Sequence, residues 1–510
     1  MLSKINSFGI FGIQAYPVEI EVDVTSGLPA TNIVGLPDTS VKESKERIRS
    51  AIKNSGFQFP ADRITVNLAP ADIKKEGSIF DLPIALGVLA STEQINPTSL
   101  KDYIIIGELS LEGQVRPVKG ALPIAMRMKS NKVKKIILPL VNAKEAALIK
   151  DIGVFGISSI KEAVNFLSNK DSIKPAQIDI NKTTKDIQRS DIDFSDVKGQ
   201  IMAKRALEVA VAGAHNIIMI GPPGSGKSML AKRIPTIMPT MSEEEIIETT
   251  CIHSSQGLVP QNLGLVVNRP FRSPHHTTSD VALIGGGPIP KPGEISLAHN
   301  GVLFMDELPE FHRDVLESLR QPLEDGCVNV ARASRSLSFP SRFMLVCAMN
   351  PCPCGNFNDP KKVCRCGSTK VEKYLSRISG PLLDRIDIHI NMPSLKYKEI
   401  SEPIPSEPSL NIRKRVLTAR TIQKERFLNL NIFSNSHINH NQIKQFCILE
   451  KDSEDLLRTA MEKLYLSARA YDKILKVSRT IADLDGKEII EPQHISEAIQ
   501  YRSLDKQLWI

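Results

Sequence analysis

Apolar and polar residues alternate without a break over residues 18–24 (VEIEVDV), the period-two pattern of a strand with one buried face. Ser40 and Glu43 read as a capping box that opens a helix running toward Gly56. Further short strands are predicted at 64–68, 103–106, 135–138 and 154–157, with amphipathic helices between them. Residues 1–170 therefore read as one compact α/β or α+β domain. Residues 171–192 are polar, lysine-rich and weakly periodic, the pattern of a linker. Over 193–395 apolar strands alternate with helices, which predicts a parallel sheet. The proline-bearing run SEPIPSEPS at 401–409 marks a second break. The stretch 396–510 beyond the sheet is helical, with Glu491-Pro492 starting the last helix.

The chain has 510 residues, enough for more than one domain. Its 41% hydrophobic and 24% charged residues exclude a mostly disordered chain. No apolar run approaches the length of a membrane span, and the first residues lack a secretory leader's apolar core; a cytoplasmic protein without a membrane partner is expected. The net charge of +8 permits nucleic-acid binding without requiring it. Aromatic residues total 5% with a single Trp, so base stacking is not the main mode of any such binding.

Candidate chemistry begins at Gly221-Pro222-Pro223-Gly224-Ser225-Gly226-Lys227-Ser228, which fits the phosphate-binding pattern G-x-x-x-x-G-K-[ST]. It follows an apolar strand at 216–220 and leads into a helix, the context the motif needs. Backbone N–H groups of the glycine-rich turn and the helix N-terminus receive phosphate oxygens. Lys227 then reaches the β- and γ-phosphates, and the Ser228 hydroxyl binds Mg²⁺. A second apolar strand, 302–305, ends in Asp306-Glu307. Asp306 suits the Mg²⁺ shell, and Glu307 suits polarisation of the attacking water. A third, 343–349, ends at Asn350, whose amide could orient that water or sense the γ-phosphate. ATP and Mg²⁺ are the cofactors expected.

Cys352, Cys354, Cys364 and Cys366 form C-x-C-x₉-C-x-C, and a glycine follows each pair. Four thiolates at this spacing can close a tetrahedral Zn²⁺ shell; free thiols and a redox pair are the alternatives. The segment from 328 to 339 reads as a hairpin with a basic tip, and no acidic residue occurs between Gly326 and Asn358. Adjacent His275 and His276 would face different ways on a regular element, so a shared metal is not expected there.

These runs together resemble the ComM/YifB family of magnesium-chelatase-like AAA+ ATPases. The carriers are FSDVKGQ at 194–200, GPPGSGKS, RPFRSPHHTTSDVALIGGG at 269–287, GVLFMDE, AMNPCPCG at 348–355, RISGPLLDRIDIHI at 377–390 and LKVSRTIADL at 475–484. The resemblance implies an AAA+ core over 193–395 and a helical lid over 396–510. It assigns Asn350 as sensor 1, Arg385 as an arginine finger acting on a neighbour's ATP, and Arg469 as sensor 2 with Arg479 as its rival. A finger in trans implies a ring, in this family a homo-hexamer. Residues 1–170 are similar to the Lon protease domain, of the ribosomal S5 domain 2-like class. The Ser and Lys positions of a Lon-type dyad fall on Ile79 and Leu122, so the domain is expected to be non-proteolytic. Arg332 and Arg335, at the hairpin tip, become the expected DNA phosphate contacts. The implied function is an ATP-hydrolysing motor that moves branched DNA during natural transformation. A metal-chelatase motor and a protein remodeller share the same ATPase residues, and the N-terminal domain is expected to set this chain apart from the chelatase.

Overall fold

The computed structural model describes residues 2–130, 132–180, 183, 192–287, 290–332, 335–357, 362–394, 406–430 and 432–502, with backbone alone at 331, 332 and 335. They form two compact units. One gathers residues 1–188, 242–267 and 287–292; the other holds the rest.

The first unit is built on a seven-stranded mixed sheet. Its order is Ala30–Val34, Arg63–Ala69, Gln14–Thr25, Leu2–Phe11, Tyr103–Ile105, Lys135–Pro139, Gly153–Ile157. In the long central strand the alternation is obeyed: Val18, Ile20 and Val22 are buried, and Ile20 stands between Ile5 and Leu68. The apolar helix Asp81–Ser91 is buried along its whole length. The helix expected to open at Ser40 runs Thr39–Asn54 and is capped by Asp38, which accepts from Val41 N at 2.8 Å. Ser40 lies within the helix, where its Oγ donates to the same carboxylate and accepts from Gly77 N at 3.1 Å. Ile79 and Leu122 are both buried apolar side chains, and neighbouring Ser78 is hydrogen-bonded to Glu108.

The helix Glu243–Gln256 belongs to this unit although it follows the phosphate-binding motif in sequence. Buried Glu145 accepts from Ser254 Oγ and from Leu122 N at 3.0 Å, and Gly120 N donates to Ser254 O at 2.9 Å. Burial pushes the Glu145 carboxyl above its ordinary range, against the hydrogen bonds from Ser254, Leu122 N and Asn142.

The second unit carries an all-parallel five-stranded sheet. Its order is Phe271–Arg272, Val302–Met305, Met344–Met349, Ile217–Ile220, Ile388–Asn391. The last strand met along the chain thus lies beside the first, and the middle of the sheet is where successive loops diverge. Among the described residues five helices close the unit: Ser409–Arg426, His440–Phe446, Lys451–Leu464, Ala468–Leu484 and Pro492–Gln500. Ile412, Val416, Ile474 and Ile481 share one apolar core with the helix Ile201–Gly213 and the sheet. The lid and the sheet are therefore one packed body, which burial of this apolar surface stabilises.

An ionic knot lies inside the lid. Asp483 is fully buried and accepts from Arg426, from Asn435 Nδ2 at 2.8 Å and from Arg479 Nε at 3.1 Å. Asp483→Ala strands two guanidinium groups with their counter-ion removed, a change that costs about 3–5 kcal/mol. A loss of that size in the unfolding free energy from a urea titration is the expected result. An Asp483→Ala variant as stable as the parent would show that water reaches the knot.

Candidate functional site

Three of the parallel strands deliver their residues to one edge of the sheet. Ile220 pairs with Met349 at the ends of their strands, and Met305 pairs with Cys347 two residues earlier, so Asp306-Glu307 continue to the level where the other two strands end. The phosphate-binding turn, Asp306-Glu307 and Asn350 therefore converge at the carboxyl ends of the strands, where open α/β sheets bind ligands. Gly224 and Gly226 take left-handed φ of 79° and 92°, which glycine adopts without a Cβ clash. The turn ends in the helix Lys227–Ile237, whose first N–H groups have no partner within the helix.

Lys227 is 8% exposed. Its Nζ donates to Gly221 O at 2.6 Å, Pro222 O at 3.0 Å and Asn350 Oδ1 at 3.2 Å. Burial draws this ammonium below its ordinary pKa, and Asp306 and Glu307 oppose the shift. A triphosphate among the same donors adds negative charge and favours the charged lysine further. Ser228 Oγ donates to Asp306 Oδ2 at 2.6 Å. A hydroxyl and a carboxylate in contact at a strand end are a hard-oxygen pair that fits Mg²⁺ shared with phosphate oxygens.

Glu307 has a left-handed backbone, φ 53°, and a half-exposed side chain. Its Oε2 lies 3.3 Å from His276 Nδ1. The two histidine rings face one another at a centroid distance of 4.1 Å, because they sit in a loop rather than on a strand or helix. The rule for regular elements therefore failed at this pair, and nothing in its sequence ties it to Glu307. That contact occupies a carboxylate oxygen that a water-derived proton would otherwise use.

Arg385 follows the short helix Gly380–Leu383 and is ion-paired with Glu324. The pair lines an open cleft of about 490 Å³ with Arg320 and Glu317. The backbone beside it is held from the lid: Lys473 Nζ donates to Ile386 O at 3.0 Å, and Arg502 Nη1 to the same oxygen at 2.7 Å. Asp387 stands between Lys473, at 3.2 Å, and His215 Nδ1, at 3.1 Å. Despite burial, the Lys473 ammonium and the hydrogen bond with His215 hold its carboxyl far below the usual range. Arg469 is exposed and reaches Asp384 at 2.9 Å, whereas its rival Arg479 is buried in the lid knot.

The four cluster cysteines lie in this unit as well. Cys352 Sγ is 3.4 Å from Cys354 Sγ and 3.7 Å from Cys364 Sγ, and Cys354 and Cys364 are 3.6 Å apart. All four sulfurs lie within 4.8 Å of one another. Four sulfurs about 2.3 Å from one Zn²⁺ would be roughly 3.8 Å apart, so the donor set fits a tetrahedral metal. Backbone N–H groups of Asn356 and Arg365 draw the Cys354 thiol down to about 6, while burial and the neighbouring sulfurs push the Cys364 and Cys366 thiols up.

The predicted hairpin is present as Cys327–Arg332 paired with Arg335–Pro340, with Arg332 opposite Arg335 next to the turn. The side chains of both arginines lie outside the described residues.

Residues 193–400 match the family described as magnesium chelatase, subunit ChlI. Residues 406–502 match its C-terminal part, and residues 20–142 match the family described as subunit ChlI of Mg-chelatase. Among curated proteins, Competence protein ComM of Haemophilus influenzae is 44% identical over 99% of this chain and 98% of its own. The uncharacterized protein YifB of Escherichia coli is 43% identical over 99% and 98%. Lon protease 2 of Bacillus subtilis is 29% identical over 26% of this chain and 25% of its own, in keeping with a Lon-like fold in the first unit. The N-terminal match also carries a chelatase description, so this domain does not separate the chain from chelatase motors as expected. No helix among the described residues is long and apolar enough to cross a membrane.

Proposed function

The chain belongs to the ComM/YifB family of magnesium-chelatase-like AAA+ ATPases, and from that premise we propose that it is a homo-hexameric ring motor that moves branched DNA. The reading deepens the ATPase chemistry of the family. Lys227 and the turn Gly221–Ser228 hold the triphosphate, while Ser228 and Asp306 hold Mg²⁺. Glu307 takes the proton of the attacking water, and Asn350 orients that water against the γ-phosphate. Bound Mg²⁺ supplies charge neutralisation between the phosphates.

The observation that carries a ring is the placement of Arg385. It pairs with Glu324 beside an open cleft, whereas Lys227 bonds to Asn350 and to the phosphate-binding turn. A guanidinium committed elsewhere serves hydrolysis when it reaches the nucleotide of a second copy. Arg469, exposed and bonded one residue away at Asp384, acts from the same face. Four thiolates in contact hold a structural Zn²⁺. The non-proteolytic first unit serves as a DNA-binding or ring-organising element.

DNA as the cargo is supported by the full-length similarity to a protein named for competence, and by the hairpin that ends at Arg332 and Arg335. Its flank Arg335–Pro340 leads directly into the strand ending at Asn350, so a change of nucleotide shifts the hairpin. The work proposed is branch migration of recombination intermediates during transformation. Arg332→Ala with Arg335→Ala is expected to weaken DNA-stimulated ATP turnover. On duplex DNA, every phosphate that is no longer neutralised makes the slope of log affinity against log salt shallower by about 0.9. An unchanged salt slope would remove the hairpin from the DNA path.

A chelatase motor is the second reading, favoured by the descriptions of all three matched families. ATP turnover indifferent to DNA yet raised by a tetrapyrrole-binding partner would select it. Turnover raised by a protein complex alone would select a remodeller.

A further inference from the structure

Gly355, which directly follows the first cysteine pair, packs against the nucleotide turn. Cys352 comes two residues after Asn350 and is fully buried, and the chain turns back at once, with Gly355 N donating to Cys352 O at 2.9 Å. Gly355 adopts φ 78°, and a Cβ placed on it would lie 2.4 Å from Cδ of Pro223 and 2.9 Å from its Cγ. Pro223 is the third residue of the phosphate-binding turn. The turn is tied to the same strand from its other side, where Gly221 N donates to Met349 O at 3.2 Å. The segment 349–355 thus grips the turn at Gly221 and at Pro223, and Lys227 bonds to Asn350 between those points.

We propose that the cysteine cluster is a metal-dependent clamp on the phosphate-binding turn, so that metal occupancy sets the affinity for ATP. The proposal rests on the zinc reading given above. Cys364 and Cys366 arrive from across a loop, and a bound ion joins them to Cys352 and Cys354. That closure fixes the Gly355 turn from behind and presents it to Pro223 as a rigid wall. With the ion removed, the described contacts that join the two pairs are Sγ–Sγ approaches of 3.6 and 3.7 Å and the backbone N–H of Arg365 on the Cys354 sulfur. Protonated thiols make weak donors, so Gly355 is then left without backing. The phosphate-binding turn is left with one of its two walls.

Two kinds of variant separate the metal from the contact. Cys364→Ser with Cys366→Ser removes two ligands far from the turn. Gly355→Ala keeps all four thiolates and forces a methyl group against Pro223. Full-length protein is assayed for zinc by elemental analysis and for Mg²⁺-dependent affinity toward a fluorescent ATP analogue by titration. The double serine variant is expected to lose its zinc and bind the analogue roughly five- to a hundredfold more weakly. Gly355→Ala is expected to keep zinc and weaken binding over the same range. Where Gly355→Ala also loses zinc, Pro223→Ala takes its place, removing the contact from the opposite side with the cysteines intact. Chelation of the folded parent should reproduce the weak binding, and added Zn²⁺ should reverse it. Zinc lost with affinity unchanged would overturn the clamp and leave the zinc site standing. A double serine variant that keeps its zinc would overturn the zinc reading itself.

Discussion

Glu307→Gln is expected to lower ATP turnover at least about 100-fold while leaving nucleotide affinity close to the parent's. The substitution keeps the size and the hydrogen-bonding reach of the side chain and removes only its basicity. In the proposed site the triphosphate and Mg²⁺ would be held by Lys227, Ser228 and Asp306, whose contacts the change does not touch. The loss therefore appears in kcat and not in binding, the signature of an interaction made in the transition state. The measurement is steady-state hydrolysis without DNA, with single-stranded DNA and with branched DNA, each beside the Gln variant. Turnover that rises severalfold with branched DNA and vanishes in the variant supports the motor. Turnover that depends on Glu307 and ignores DNA moves the reading to a chelatase motor or a remodeller. Hydrolysis that survives Glu307→Gln would show that another group activates the water, and His276, 3.3 Å from this carboxylate, is the residue to test next.

The sequence was most legible where a strand hands its last residue to a site. Ile217–Ile220, Val302–Met305 and Met344–Met349 are short buried apolar runs, and each leads into a segment to which the proposed function gives a chemical role. The hairpin and the cysteine cluster were legible for a like reason, since a hairpin is local and ligand spacing survives folding. Contacts made across the fold were not. The helix Glu243–Gln256 buries Thr249, Thr250 and Ser254 beside Ile252, so no apolar stripe marks the face it turns inward. Its attachment to the first unit is carried by Glu145, more than a hundred residues upstream. The cap of the first helix was misplaced by two residues because Asp38 and Ser40 are both good capping residues, and only the geometry shows which one accepts. The grip of Gly355 on Pro223 leaves no trace in composition or period at all. It requires knowing that two loops from neighbouring parallel strands leave the sheet at the same level.

Arg385→Ala carries the largest expected loss, about 1,000-fold or more in kcat, with the variant's own ATP affinity retained. A residue that acts on its own subunit's nucleotide and one that acts on a neighbour's predict different mixtures. Glu307→Gln protein has intact fingers and dead sites; Arg385→Ala protein has intact sites and no fingers. Mixed rings of the two place a finger against a competent site, so turnover should rise well above the sum of the separate variants. Lys473→Met extends the argument to the lid. Lys473 bonds Ile386 O and Asp387, so its loss leaves Arg502 as the donor to Ile386 O and loosens the segment that carries the finger without removing the guanidinium. It should act as a positioning residue: a smaller loss of kcat, unaltered ATP affinity, partial rescue by Lys473→Arg, and recovery on mixing with Glu307→Gln. The Arg385–Glu324 pair must open for any of this, which makes Glu324→Gln a variant expected to hydrolyse ATP faster at low protein concentration. Mixtures that regain nothing, although gel filtration shows that the two variants share rings, would return Arg385 to a structural role within its own subunit.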